Sequence, residues 1–172
     1  MSCIINSGIT VQGCLDNSGG VQLVLLTNRE NITAVTINAT TSVVTAITMA
    51  TGSSFYAFTS NKNTGYFNQK ITNSVENGTS FVEQEIKMNF TKTDNTKRNI
   101  VRTISISEMV AIVKDFNDNY WLSGYESGLY LTEGMSNSGE KRTDANGYQV
   151  TIKAEEPTLA YSVDPIIVDN LY

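Results

Sequence analysis

The stretch YFNQKITNSVENGTSFVEQEIKMNFTK, residues 66–92, constrains the fold more than any other part of the chain. Apolar and polar residues alternate on both sides of Asn77-Gly78, and that dipeptide favours a two-residue hairpin turn with both central residues at positive φ. Folding about it pairs Val75 with Ser80, Asn73 with Val82, Ile71 with Gln84, Gln69 with Ile86 and Phe67 with Met88. One face of this predicted hairpin then carries Phe67, Ile71, Val75, Val82, Ile86 and Met88. The other sets Lys70 against Glu85 and Thr72 against Glu83, a favourable cross-strand charge pair. A long hairpin with one apolar face must bury that face on a second layer, which points to a β-sandwich or a partial barrel.

The remainder of the chain agrees with that class. Strands are predicted at Val21–Thr27, ITAVTI (32–37), SVVTAITM (42–49) and SSFYAFTS (53–60), all rich in β-branched or aromatic residues. EMVAIVKD (108–115) is apolar on both faces over Val110–Val113, so this strand must be covered on two sides. NYWLSGYESGLYLTEG (119–134) reads as strand, MSNSGEKRTDANG (135–147) as a loop, and YQVTIKAEE (148–156) as an alternating strand with Tyr148, Val150, Ile152 and Ala154 on one face. One short helix is expected at about 93–106, capped by Thr93 or Asp94, with Ile100, Val101 and Ile104 at helical spacing. The fold class is therefore mostly β, with a single β domain over 1–156. Residues 157–172 lose the alternation but keep the hydrophobicity, and are expected to form a C-terminal extension. Ile166, Ile167, Val168, Leu171 and Tyr172 would pack on neighbouring subunits.

The chemistry on offer is sparse. Histidine is absent, which removes the usual general base near neutral pH and the commonest zinc ligand. GYESG lacks the spacing of a nucleophile elbow, and no glycine-rich phosphate loop occurs. DFNDNYWLSGYE, residues 115–126, spells like half of a calcium loop, with Asp115, Asn117, Asn119 and Glu126 in ligand-like positions. Tyr120 stands where such a loop needs glycine, and MVAIVKD before it is a strand, so the segment reads as a hairpin with Asn117-Asp118 in its turn. Catalytic, metal and cofactor sites are thus all expected to be absent, and the chain is not expected to be an enzyme.

The 172 residues carry 12 basic and 17 acidic side chains, a net charge of −5, without any Lys/Arg run. That distribution argues against tight binding to nucleic acid, which needs clustered positive charge. Cys3 and Cys14 are expected as reduced thiols in a chain assembled in the cytosol, since 172 residues do not need a staple. Neither a signal peptide nor a membrane partner is expected.

Taken in order, GCLDNSGGV, FY, ENGTSFVEQEIKMNFTK, IVKDFNDNYWLSGYESG and DANGYQVTIKAEE resemble a family of tailed-bacteriophage structural proteins, from crAss-like and related phages, with the tail-tube type of fold. The resemblance covers about Gly13 to Glu156. It implies a virion protein of the tail, six or twelve copies closing into a ring that is used once or stacked, with adjacent tail, collar or portal-adaptor proteins as neighbours. Double-stranded DNA would pass transiently through the lumen during genome ejection. Glu83, Glu85 and Lys87, or the loop Glu140–Asp144, are the expected lumen-facing residues, their acidity repelling phosphate. The family often has Asn-Gly in the turn where this chain has Asn117-Asp118. The competing expectation is an adhesin or carbohydrate-binding sandwich with Trp121, Tyr125 and Tyr130 as a stacking platform.

Overall fold

The structure, a computed structural model, describes residues 7–10 and 15–172. Cys3 and Cys14 lie outside the described residues. The elements run β1 (Val21–Asn28), a single 3-10 turn (Arg29–Asn31), β2 (Ile32–Ile37), β3 (Val43–Met49), β4 (Tyr56–Phe58), β5 (Tyr66–Ser74), β6 (Thr79–Thr91) and α1 (Asn95–Ile104). They continue with β7 (Met109–Asp115), β8 (Tyr120–Ser123), β9 (Tyr130–Asn137), β10 (Gly147–Glu156), β11 (Tyr161–Val163) and α2 (Pro165–Val168). The protein is mostly β, as the alternation requires, and its strands form two packed sheets without closing into a barrel.

The larger sheet has seven strands in the order β2-β3-β11-β8-β7-β1-β4, and the smaller has four in the order β5-β6-β10-β9. All pairings are antiparallel except β11 with β3. The larger sheet cannot be flat. β1 and β2 lie five strand spacings apart, about 24 Å at 4.8 Å each, yet the chain from Asn28 to Ile32 reaches at most about 14 Å. The sheet therefore coils back on itself, and Leu25 of β1 shares a core with Ile32 and Val35 of β2.

Two cores follow from the two faces of β7. Met109, Ala111 and Val113 point between the sheets, with Val24 and Leu26 beside them and Ile86, Met88, Val150, Ile152 and Ala154 opposite. Val110 and Ile112 point to the other side, with Leu25, Val44, Phe55 and Leu122. The expectation that both faces of this strand are covered is met. Val150, Ile152 and Ala154 are buried as expected, with Tyr148 half-buried at the sheet's end.

The C-terminal expectation is corrected. Residues 157–172 are no extension of the domain: β11 is inserted between β3 and β8, and Val168 (1% exposed) and Leu171 (8%) close the second core over β7. Val168 and Leu171 are buried within the subunit because they pack with Leu25, Val44, Phe55 and Leu122 in that core. Asp164 caps α2 by accepting from the Ile166 backbone N–H, and Pro165 fills the first helical position, a helix the sequence reading did not anticipate.

The long hairpin exists in a different register. Ser74 pairs with Thr79, Ile71 with Val82, Gln69 with Gln84 and Phe67 with Ile86, two residues from the expected pairing. Val75–Gly78 form a four-residue turn in which only Gly78, at φ +62°, is left-handed, so the two-residue geometry is not used. A shift of two leaves every side chain on its expected face. Lys70 consequently faces Glu83, and Thr72 faces Phe81. The pairing of β10 with β6 stops at Val82, so Thr79–Phe81 and the strand opposite project beyond the body. Ile71 (54%) and Val75 (96%) are exposed rather than buried for that reason.

α1 is shorter than the expected span and is capped by Asp94, whose Oδ1 accepts from the Lys97 backbone N–H at 2.8 Å. Ile104 and Val101 pack on the inter-sheet core, and Ile100 is exposed. The single strand expected over 119–134 is interrupted between β8 and β9, where Gly124 and Gly128 both take positive φ. β9 then continues to Asn137, into the segment expected as a loop.

Candidate functional site

The outer face of the four-stranded sheet gathers the expected lumen residues into cross-strand rows. Lys70, Glu83 and Glu155 form one row. Asn68, Glu85, Lys153 and Tyr130 form the next, and Tyr66, Lys87, Thr151 and Glu133 the third. Alternation on β6 and β10 forces this, because Ile86, Met88, Val150 and Ile152 occupy the other face.

Lys153 is the hub. Its Nζ lies 2.8 Å from Glu83 Oε1 and 2.6 Å from Glu85 Oε2, and the Tyr66 hydroxyl donates to Glu85 Oε1. Lys87 sits 5.8 Å from the centre of the Tyr66 ring. The bonds from Lys153 and then Tyr66 hold the Glu85 carboxyl below its usual range, and Glu83 followed by Glu85 raises the Lys153 ammonium far above its own. The Tyr66 phenol is raised chiefly because its proton is donated to Glu85. Across the three rows, Glu83, Glu85, Glu133 and Glu155 stand against Lys70, Lys87 and Lys153, four carboxylates to three ammonium groups. The face is a charge mosaic with a slight acidic excess. Alternation in YQVTIKAEE sets Lys153 on the polar face of its strand, but no local signal pairs that strand with β6, so its partnership with Glu83 and Glu85 is not readable from sequence.

The alternative lumen loop differs in character. Asp144 Oδ2 accepts from the backbone N–H groups of Glu140 (3.0 Å) and Lys141 (2.8 Å), which holds the Asp144 carboxyl below its usual range. Lys141 and Arg142 match Glu140 and Asp144 in charge.

Of the five expected interface residues, Ile166 (78%) and Tyr172 (54%) are exposed, Ile167 is half-buried, and Val168 and Leu171 belong to the core. The stacking platform is not assembled. Trp121 packs toward the inter-sheet core and Tyr125 toward the second core, on opposite faces of the larger sheet. Tyr130 lies on the outer face of the smaller sheet, paired with Lys153.

The calcium-like spelling has a structural use. Phe116–Asp118 form a three-residue loop closed by the Asp115 N–H donating to the Asn119 carbonyl at 3.0 Å, with Asp118 at φ +61°. Asp115 Oδ1 accepts from the backbone N–H groups of Asn117 and Asn119, and Oδ2 from Asn119 Nδ2 and Trp121 Nε1. Four donors occupy the carboxylate that a cation would need. Asn117 in turn binds Asn17 and Ser18, tying the segment before β1 to this turn.

A cleft of about 750 Å³ lies between the start of β7 and the Gly124–Gly128 loop. Arg29 crosses it, with Nη1 2.7 Å from Glu108 Oε1 and with Nε and Nη2 donating to the carbonyls of Tyr125 and Glu126. Behind the loop, buried Glu156 accepts from the N–H groups of Glu126 and Ser127, and burial raises its carboxyl above the usual range. These groups clamp a loop, and each of the three guanidinium nitrogens of Arg29 donates to a protein acceptor. Among the described residues no group of three or more His, Cys, Asp or Glu side chains is placed to hold a metal, and no helix is long and apolar enough to cross a membrane.

No family model, no curated protein and no solved structure matches the chain.

Proposed function

We propose that the chain is a structural subunit of a bacteriophage tail, closing with copies of itself into a ring, single or stacked, through which the genome leaves. The observation that carries this reading is the four-stranded sheet, whose edge strands β5 and β9 have no further strand paired to them among the described residues and whose β5–β6 hairpin runs past the body with Ile71, Val75 and Phe81 exposed. An eight-residue edge such as β9 invites pairing. Joining β9 of one copy to β5 of the next, head to tail, is a heterologous contact that closes by rotation and leaves no edge of this sheet over.

Six copies joined this way give about 24 strands and a girth of roughly 115 Å, or about 150 Å with strands tilted by about 40°. The backbone diameter is then roughly 48 Å, wide enough for a DNA duplex between its side chains. The inner wall would be the face carrying Glu83, Glu85 and Lys87, since the opposite face is the inter-sheet core. A near-neutral mosaic with a small acidic excess suits a conduit, because it offers phosphate no net attraction. Mass photometry and negative-stain imaging of the purified chain test this: annuli or tubes support it. A monomer at all concentrations that binds glycan arrays overturns it in favour of an adhesin.

A further inference from the structure

Asn-Gly occurs twice in the chain, at Asn77-Gly78 and Asn146-Gly147, and the fold treats the two in opposite ways. Such a dipeptide rearranges without an enzyme when the glycine nitrogen can reach the asparagine side-chain carbonyl carbon. The nitrogen loses its proton to solvent and bonds to Cγ, the Cγ–Nδ2 bond breaks, and ammonia leaves a five-membered imide. One water then opens the imide at either carbonyl, giving aspartate or its backbone-shifted isomer. Glycine matters because no Cβ shields the attacking nitrogen.

Asn146 is locked against that motion. Its Oδ1 accepts from the Thr93 N–H (2.8 Å) and the Thr93 hydroxyl (3.0 Å), and its Nδ2 donates to the Ser138 carbonyl (3.4 Å). Its own carbonyl accepts from the Lys92 N–H at 2.7 Å. Gly147 is jammed against β6, where even a Cβ would run into the Phe90 carbonyl oxygen. Ring closure at Asn146 requires the amide to leave all three partners. Asn77 has none of these restraints. It is exposed in the Val75–Gly78 turn, its side-chain amide makes no hydrogen bond among the described residues, and the space around Gly78 is open to 4 Å.

We infer that Asn77 is a self-modification site, converting through an imide to aspartate or isoaspartate while Asn146 is protected by the fold. The product sets a new carboxylate beside Glu76 at the tip that carries Val75, and the isomer lengthens the turn's backbone by one methylene. On the assembly reading above, on which this consequence rests, the change puts charge where an apolar tip must seat. Asn77 then limits how long an unassembled subunit stays competent.

Incubation of the full chain at pH 8 and 37 °C, followed by peptide mass mapping with isoaspartate detection, tests the site. Asn77 is expected to convert at least about tenfold faster than Asn146 in the folded chain, and the ratio to fall toward one in concentrated urea. Equal rates in the folded chain, or an intact Asn77 when the unfolded chain converts, overturn the site. Ring formation is then compared for fresh protein, aged protein and the Asn77→Asp and Asn77→Ser variants. Loss of rings in the aged and Asp samples but not the Ser sample supports the consequence. Equal ring formation in all four overturns the consequence and leaves the site standing. No rings from fresh protein overturn the assembly reading, while the rate contrast is unaffected.

Discussion

Glu85 shows what a single carboxylate contributes here. It accepts from Lys153 and Tyr66 on a partly covered face, and its folded pKa lies below the usual value. A depressed carboxyl stabilises the fold above its unfolded pKa, and that stabilisation is lost as pH falls through the folded value. Glu85→Gln should therefore cost about 1 kcal/mol at pH 7 in urea denaturation, and the gap to wild type should close as the pH drops below the ordinary carboxylate range. A gap independent of pH would mean that Glu85 acts by packing alone. The acidic face of β6 was legible in the sequence, because period-two alternation assigns Glu83, Glu85 and Lys87 to one side whatever the register. Lys153 as their partner was not legible, because the strand next to β6 depends on a pairing 70 residues away in sequence. Gln84 was hidden for a related reason. It sits among Val82, Ile86 and Met88 on the inward face, 2% exposed, and only the tertiary fold supplies Ser123, Gly124 and Thr158 as its partners.

At the level of elements, β7 states a demand and α2 meets it. Val110 and Ile112 on one side of the strand, Ala111 and Val113 on the other, require two covers, and this much is readable from EMVAIVKD. Which segment supplies the second cover is not readable, since hydrophobicity without periodicity says that a segment is buried but not against what. Asp164-Pro165 did carry a readable signal, a capping residue followed by proline at the first helical position. The turn of the long hairpin misled for another reason. Asn-Gly is compatible with several loop lengths, and the four-residue form keeps Asn77 out of the left-handed region. The division inside the C-terminal segment is measurable. Leu171→Ala should destabilise the subunit by about 2–4 kcal/mol, whereas Ile166→Ser and Tyr172→Ser should stay within about 0.5 kcal/mol. Comparable losses for all three in urea denaturation would contradict the burial that separates them.

For the molecule as a whole, the proposed conduit turns on which surface DNA meets and on the net charge of that surface. Replacing both Glu83 and Glu85 with lysine changes the mosaic from four carboxylates and three ammonium groups to two and five, and leaves Lys153 facing like charge. The paired Glu83→Gln and Glu85→Gln changes remove the same ion pairs without adding cations, so any fault shared by both double variants reflects stability rather than DNA. If this face lines the lumen, the lysine variant should still form particles but release the genome more slowly than the glutamine variant. The delay should shrink between 0.1 M and 1 M salt, as the screening length falls from about 10 Å to about 3 Å. If rings stack as well, the effect is amplified, because every subunit along the path presents the same two changes. Release at the wild-type rate in low salt, from particles shown to be intact, would assign the lumen to another face. The next surface to carry the same reversal would be the charge-balanced loop Glu140–Asp144, where Asp144 is held by backbone N–H groups and not by a lysine.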